Sequence, residues 1–280
     1  MKRLLFVILC LLPVSALPSE PTNVSHNIIH SQWYSHGEHI FRRVDIYLPD
    51  NYCCDSDYTT LYLIHGINGY EGSWEDMGHV ADTMERLMAQ GLCEPMIIVM
   101  PDCNKWPFKE RPISHGNLWK CLTHYSRLSR EHEIEHSISD LMDMMDTVYQ
   151  VSENYAIAGL SDGARMAANA ANIRPDRFRT VGLFSPVLHK DQLPKDSTQS
   201  YYIYVGKSDI FYGYGRRFHK RMRKANYPHA FIPLSGNHNW KMWRKCLSHF
   251  VQQPELNGHT ALSADGQNSH SDTESHCTSF

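Results

Sequence analysis

The pentapeptide Gly159-Leu160-Ser161-Asp162-Gly163 constrains this chain more than any other stretch. It follows a strand-like run, Asn154-Tyr155-Ala156-Ile157-Ala158, and opens a helix-like one. G-x-S-x-G between a strand and a helix describes a turn so sharp that the backbone passes close to its neighbours, and only glycine clears such contacts. A serine held there lifts its Oγ at the C-terminal end of a strand and the N-terminal end of a helix. Gly-rich turns of no special role share the pattern. The strand–turn–helix setting is what favours a nucleophile elbow.

Around this turn, short apolar runs rich in β-branched residues alternate with helical patterns. Strands are predicted at 42–48, 59–64, 96–100, 155–159, 180–184, 201–205 and 230–234, and helices at 74–90, 132–149, 162–173, 211–225 and 240–251. In the second helix Ile134, Ile138, Leu141, Met145 and Val148 recur at spacings of three and four, which places them on one face. Such alternation implies an α/β fold with a mostly parallel central sheet and helices on both faces. A length of 280 residues suffices for one such domain, and 42% hydrophobic residues is ordinary for a globular core. The net charge of -3, without a conspicuous basic stripe, argues against a nucleic-acid partner.

The N-terminus reads as an export signal. Lys2-Arg3 precedes an apolar core from Leu4 to Leu12, and Val14-Ser15-Ala16 is a small-residue cleavage site. The expected mature chain starts near Leu17, without a membrane span, and is periplasmic or secreted. Leu9 before Cys10 is too large for a lipoprotein signal. Cleavage leaves Cys53, Cys54, Cys93, Cys103, Cys121, Cys246 and Cys277, an odd set, some of which could pair in an oxidising compartment and some of which could be buried thiols. Asn23-Val24-Ser25 is a glycosylation sequon where the host glycosylates exported proteins. Residues 102–128 lack a clean period and read as a long loop over the sheet's C-terminal edge. The folded domain is expected to run from residue 17 to near residue 257, and residues 258–280 read as a disordered tail. Nothing in the sequence sets an oligomeric state.

A serine nucleophile needs a base and an orienting acid, and in this kind of fold the acid precedes the histidine along the chain. Asp209 closes Val205-Gly206-Lys207-Ser208-Asp209 after a predicted strand, and His238 lies in Ser235-Gly236-Asn237-His238-Asn239-Trp240 after the next one. Asp209 could instead cap the following helix. Asp191 and Asp196 are rival acids that do not directly follow a strand. Among 18 histidines, His238 is distinguished by its Gly-rich turn, whereas His189, His219 and His229 read as surface or packing residues. Backbone donors for a developing oxyanion are expected from Asp162 and from Ile67 in Ile64-His65-Gly66-Ile67-Asn68-Gly69.

Three segments resemble the putative-esterase family of α/β-hydrolases, which includes feruloyl esterases, enterochelin esterases, S-formylglutathione hydrolases and mycolyltransferases. They are His65-Gly66-Ile67-Asn68-Gly69-Tyr70-Glu71-Gly72-Ser73-Trp74, Ala158-Gly159-Leu160-Ser161, and His238-Asn239-Trp240 with Trp243-Arg244. The resemblance is greatest to the feruloyl-esterase branch. It implies an α/β-hydrolase fold, ester hydrolysis and no cofactor, with a small-molecule or carbohydrate ester as substrate. Siderophore esters and thioesters are alternatives within the same family. The family usually carries Met after the nucleophile and a further Gly after the motif, whereas this chain has Asp162 and Ala164. A carboxylate turned toward the oxyanion would oppose its charge and could silence the site, leaving a binding module. One turned away would sit favourably at a helix N-terminus.

His132-Glu133-Ile134-Glu135-His136 matches H-E-x-x-H, so a zinc peptidase is the competing reading. Glu135 places a charge where zinc-protease helices bury an uncharged residue, and no third histidine follows at the longer motif's spacing, so no metal is expected. Trp74, Trp106, Trp119, Tyr212 and Trp240 are the aromatics expected near a substrate pocket, though each could equally belong to the core.

Overall fold

A computed structural model describes residues 27–50, 52–53, 56–103 and 134–258. Its eight strands are β1 (Ile28–Ser35), β2 (Ile40–Tyr47), β3 (Tyr58–Ile64), β4 (Met96–Pro101), β5 (Val151–Leu160), β6 (Phe178–Phe184), β7 (Ser200–Gly206) and β8 (His229–Leu234). They form one sheet in the order β1-β2-β4-β3-β5-β6-β7-β8. β1 and β2 pair antiparallel, β2 meets β4 antiparallel, and every pairing from β4 to β8 is parallel. The helices are α1 (Ser73–Asp76), α2 (Val80–Ala89), α3 (Ile134–Val148), α4 (Asp162–Ile173), α5 (Tyr212–Lys224) and α6 (Trp240–Phe250).

The two-residue period of the strands sorts their side chains into two cores. Tyr62 and Ile64 of β3, Tyr155 and Ile157 of β5, and Tyr201 and Ile203 of β7 face one side, where Ile138, Leu141 and Met145 of α3, the alanines of α4, and Phe218 and Met222 of α5 pack on them. Their neighbours Leu61, Leu63, Ala156, Ala158, Tyr202 and Tyr204 face the other side, against Val80, Met84 and Leu87 of α2 and Met242, Cys246, Leu247 and Phe250 of α6. Strands covered on both faces need apolar residues at every position, and β4 and β7 are buried throughout. The α/β fold expected from the alternation is the observed one.

Three local expectations change. The predicted helix 74–90 is two helices. Gly78 passes so close to Trp74 that a Cβ would lie 2.4 Å from the Trp74 carbonyl oxygen, and His79 follows in the left-handed region at φ 51°. No continuous helix accommodates that pair. β1 has no counterpart in the sequence reading because only Ile28, Trp33 and Ser35 are buried, so an edge strand with solvated residues between them shows no apolar run. Val148 leaves the apolar stripe of α3 and is 60% exposed.

Cys93 and Cys246 are buried thiols, one of the two alternatives expected for the cysteines. Burial pushes the Cys93 thiol up to about 11 and that of Cys246 well above its ordinary range, so neither is poised to react. The expected leader with its cleavage site near Ala16, the Asn23 sequon, Cys10, Cys54, Cys121, Cys277, nearly all of the expected long loop, Trp106, Trp119, His132, Glu133 and the expected tail from residue 259 lie outside the described residues, as do the side chains of Ile134, Glu135 and His136. Among the described residues no helix is long and apolar enough to cross a membrane.

Two histidines read as surface or packing groups form a pair between α5 and β8. His229 donates from Nδ1 to the Tyr227 carbonyl at 2.7 Å, which leaves Nε2 to accept from His219 Nδ1 at 2.9 Å. The His219 ring stacks on Phe231 at 4.9 Å. Burial, then His229, Arg223 and Lys220, lower the pKa of His219 to about 4, and burial lowers that of His229. The unfolded chain therefore takes up these protons below about pH 6.5, while the folded His219 resists until about pH 4. Stability should fall as pH drops through that window. Thermal melts of His219→Phe should lose less Tm between pH 7 and pH 4.5 than the parent does. An equal loss would exclude this linkage.

Candidate active site

β5 delivers the chain to Ser161, and α4 takes it away at Asp162. Ser161 is held at φ 55°, ψ -115°, a conformation that costs a non-glycine residue about 1–3 kcal/mol. Its N–H donates to the Phe184 carbonyl at 2.8 Å. The flanking glycines are required by contact. A Cβ on Gly159 would lie 2.2 Å from the Gly163 oxygen, and one on Gly163 would lie 2.2 Å from the His65 oxygen. The second contact also shows what the turn packs against, the loop that follows β3. In that loop a Cβ on Gly66 would meet the Leu160 side chain at 2.5 Å and the Ser161 Cβ at 3.6 Å.

The loops after β7 and β8 are laced together. Lys207 N–H donates to the Leu234 carbonyl at 2.7 Å, and Ser208 N–H to the Gly236 carbonyl at 3.1 Å. Gly206 and Gly236 touch so closely that a Cβ on Gly206 would sit 2.2 Å from the Gly236 oxygen, and Gly236 itself is at φ 152°. This lacing sets Asp209 beside His238. The His238 Nδ1 lies 3.0 Å and 3.1 Å from the two Asp209 carboxylate oxygens, and its Nε2 lies 3.1 Å from Ser161 Oγ. With Nδ1–H donated to the carboxylate, Nε2 is the bare nitrogen that accepts from the serine hydroxyl. Hydroxyl, imidazole and carboxylate thus form one continuous chain across three loops.

Asp209 is fully enclosed at its side chain. Burial alone would raise its pKa. Hydrogen bonds from His238, from the Phe211 N–H at 2.7 Å and from Ser185 outweigh burial and hold it below the usual carboxylate range. The Asp209–Phe211 contact closes the turn ahead of α5, whose N-cap is Phe211 without a side-chain cap bond, so Asp209 does not take the capping role weighed for it. Ser185, buried at φ 51° after β6, accepts from the Trp243 indole N–H at 3.1 Å, which leaves its own proton for Asp209. Trp243 and Phe211 also grip the imidazole edge-on, with centroids 4.9 Å and 4.8 Å from that of His238. Ser185 and Phe211 were not anticipated. Their only sequence signal is position, immediately after β6 and two residues after Asp209.

Of the two expected N–H donors, Asp162 follows Ser161 at the start of α4, and Ile67 follows Gly66, where a Cβ would lie 3.6 Å from the Ser161 Cβ. His65 pins that loop, donating from Nδ1 to the Gly66 carbonyl at 2.8 Å and accepting from the Cys103 N–H at 3.0 Å on Nε2. The Asp162 carboxylate is held by the next turn of its own helix, with Oδ1 accepting from Arg165 Nε at 2.9 Å. Both side chains are mostly out of water, 12% exposed for Asp162 and 15% for Arg165, so the carboxylate is balanced at close range.

The aromatic candidates divide. Trp74 is fully buried in the core, edge-on to Phe184 at 6.1 Å and Trp240 at 5.3 Å, and it takes the core alternative rather than an open pocket wall. Trp240 is half-buried on α6, also edge-on to Trp243, and Tyr212 is half-buried at the start of α5 against Phe231. Asp191 lies exposed in a short 3-10 turn, and Asp196 binds the Thr198 N–H; neither has a hydrogen bond to His238.

A family model described as "Putative esterase" matches residues 41–253. An endo-1,4-beta-xylanase/feruloyl esterase of Xylanibacter ruminicola is 26% identical over 241 residues, which cover 82% of this chain and 32% of that protein, so the chain spans about a third of the relative's length. A ferulic acid esterase from Anaeromyces mucronatus superposes with a TM-score of 0.67 at 21% identity, covering 85% of this chain and 91% of that one. S-formylglutathione hydrolase from Staphylococcus aureus superposes with a TM-score of 0.61 at 17% identity, covering 82% and 98%. The matched residues run from β2 to the end of α6 and include every loop that meets at Ser161, and the chain belongs to the putative esterase family of α/β-hydrolases.

Proposed function

We propose that the chain is an exported serine esterase that cleaves carbohydrate-linked feruloyl or acetyl esters through an acyl-enzyme on Ser161, without a cofactor. The observation that carries the reading is the hydrogen-bonded path from Ser161 Oγ through His238 to Asp209. As the serine oxygen attacks the ester carbonyl, His238 Nε2 takes its proton and Asp209 stabilises the imidazolium. The carbonyl oxygen, now anionic, is received by the N–H groups of Ile67 and Asp162. His238 then protonates the departing alcohol, and a water activated by the same nitrogen releases the acid. The substrate class is supported by membership of the esterase family and by relatives named as feruloyl esterases. Export is supported by the sequence of residues 1–16.

The purified enzyme should hydrolyse feruloylated and acetylated sugars with a higher kcat/KM than S-formylglutathione or a siderophore ester. The reverse order would move the substrate assignment to the thioester or siderophore branch. Arg165 should matter although it lies one helical turn beyond the reacting atoms. An uncompensated Asp162 carboxylate near the oxyanion costs about 2–3 kcal/mol at an effective dielectric near 20. Arg165→Met should therefore lower kcat about 10- to 100-fold with little change in KM. The double variant Asp162→Met with Arg165→Met should recover most of the loss, and failure of that recovery would show that Arg165 serves packing instead.

A further inference from the structure

Contrary to the expectation of no basic stripe, the solvent side of α5 carries Arg216, Arg217, Lys220, Arg221, Arg223 and Lys224, and the helix contains no Asp or Glu; the stripe is hidden in a chain whose overall charge is slightly negative. At 3.6 residues per turn the six fall on one continuous arc, opposite the buried Gly215, Phe218 and Met222. Five of them are exposed and Arg221 is half-buried. Among the described residues none of the six forms an ion pair with a carboxylate. The helix dipole accounts for cations in the last turn, Arg221, Arg223 and Lys224. It does not account for Arg216, Arg217 and Lys220. Like charges at spacings of three and four destabilise a helix, and here they are concentrated in a chain whose net charge is -3.

This face is continuous with the candidate active site. The Phe211 ring lies against both His238, at 4.8 Å, and Tyr214, at 5.9 Å. The Arg217 guanidinium covers the Tyr214 ring at 4.4 Å. From there the cations continue along a helix of 13 residues, about 20 Å long. A polymer with its ester at Ser161 could therefore run along the arc.

We propose that this face of α5 binds a uronate-bearing polysaccharide, the carboxylated part of the same glycan whose ester is presented to Ser161. The proposal rests on the esterase reading and extends it from a sugar ester to an acidic polymer. Polysaccharide is favoured over the other polyanions by what surrounds the cations. A membrane-surface helix turns an apolar side to lipid, whereas Phe218 and Met222 are buried in the protein's own core. Single-stranded nucleic acid stacks on open aromatic faces, whereas the Tyr214 face is occupied by Arg217. Carboxylates along a glycan need only a row of positive charge, which is what the helix provides.

Native electrophoresis of the full chain through gels containing polygalacturonate or neutral xylan tests this. The parent should be retarded by polygalacturonate and not by xylan, and the effect should fade at high ionic strength. The quadruple variant Arg216→Gln, Lys220→Gln, Arg223→Gln and Lys224→Gln should bind polygalacturonate at least tenfold more weakly. Its melting temperature should be no lower than the parent's, since like-charge pairs are removed, and its rate on p-nitrophenyl acetate should match the parent's. No retardation of the parent, equal retardation of the variant, or tighter binding to single-stranded DNA or phosphatidylglycerol vesicles at matched charge would overturn the proposal. Charge-dependent retention without any ester hydrolysis would uphold the surface and remove the esterase reading. Hydrolysis without retention would do the opposite.

Discussion

Ser161→Ala is expected to lower kcat on p-nitrophenyl acetate by about 10⁴- to 10⁶-fold while leaving the fold intact. The size of the effect follows from the site's division of labour. His238 Nε2 has one acceptor role, and its only oxygen partner among the described residues is Ser161 Oγ. Without that oxygen no acyl-enzyme forms, and water must attack the ester unaided. A residual acceleration of about 10³- to 10⁴-fold over solution is expected from the N–H donors and from substrate binding alone. The variant should be stable, since Ser161 is buried and its backbone, not its hydroxyl, bonds Phe184 and Ala164. Removing the hydroxyl leaves the strained φ in place, so no gain from relaxation is expected. Steady-state kinetics with a melting curve on the same sample checks both statements.

The second large effect is expected at Asp209, where Asn should reduce kcat by about 10⁴-fold. The carboxylate receives N–H or O–H donors from His238, Phe211 and Ser185, and the Trp243 indole bonded to the Ser185 oxygen leaves the serine proton aimed at Asp209. An amide brings its own donor into a ring of donors. Either the amide nitrogen faces His238 and imposes the wrong tautomer, with the proton on Nε2, or it collides with Phe211 N–H and Ser185. In both cases the base is unavailable to Ser161. The loss should appear in kcat rather than KM, because Asp209 is enclosed and has no surface to offer a substrate. A kcat within tenfold of the parent would mean that another group orients the imidazole.

Much of this architecture was legible because its determinants are local. β4, β7 and the second half of β5, from Tyr155 to Leu160, are short runs buried at every position, a pattern dictated by cover on both faces, and it is readable without knowing which strand lies next to which. The elbow is legible because Gly159 and Gly163 mark the two places where backbone touches backbone. Chain order then named Asp209 and His238, which the structure brings together with Ser161. Features set by tertiary contact left weaker traces. β1 is an edge strand with only one side against the core, so its sequence looks polar. The break before α2 depends on how closely Gly78 approaches Trp74, which no periodicity records. Trp74 itself sits in a segment that resembles an oxyanion loop, yet its indole is directed into the core by packing against Phe184 and Trp240. Ser185 has no motif at all. Its role beside Asp209 arises from the pairing of β6 with β7, which sets the end of one strand next to the turn that follows the other.

Asp162 shows how a departure from the family pattern is resolved by a neighbour. Read alone, a carboxylate after the nucleophile threatens the anion that must form beside it. Arg165 one turn later supplies the opposite charge at 2.9 Å. The sequence contains both residues, but nothing in their spacing distinguishes this pair from any exposed i, i+3 pair on a helix.

The central claim is that a covalent ester forms on the Ser161 oxygen during turnover. Acid-quenching the enzyme while it hydrolyses methyl ferulate, followed by peptide mass analysis, tests it directly. The expected result is one feruloyl adduct on the peptide containing Ser161, appearing within the first turnover and decaying as substrate is exhausted. Full hydrolytic activity with no adduct, or with the adduct on any other side chain, would contradict it.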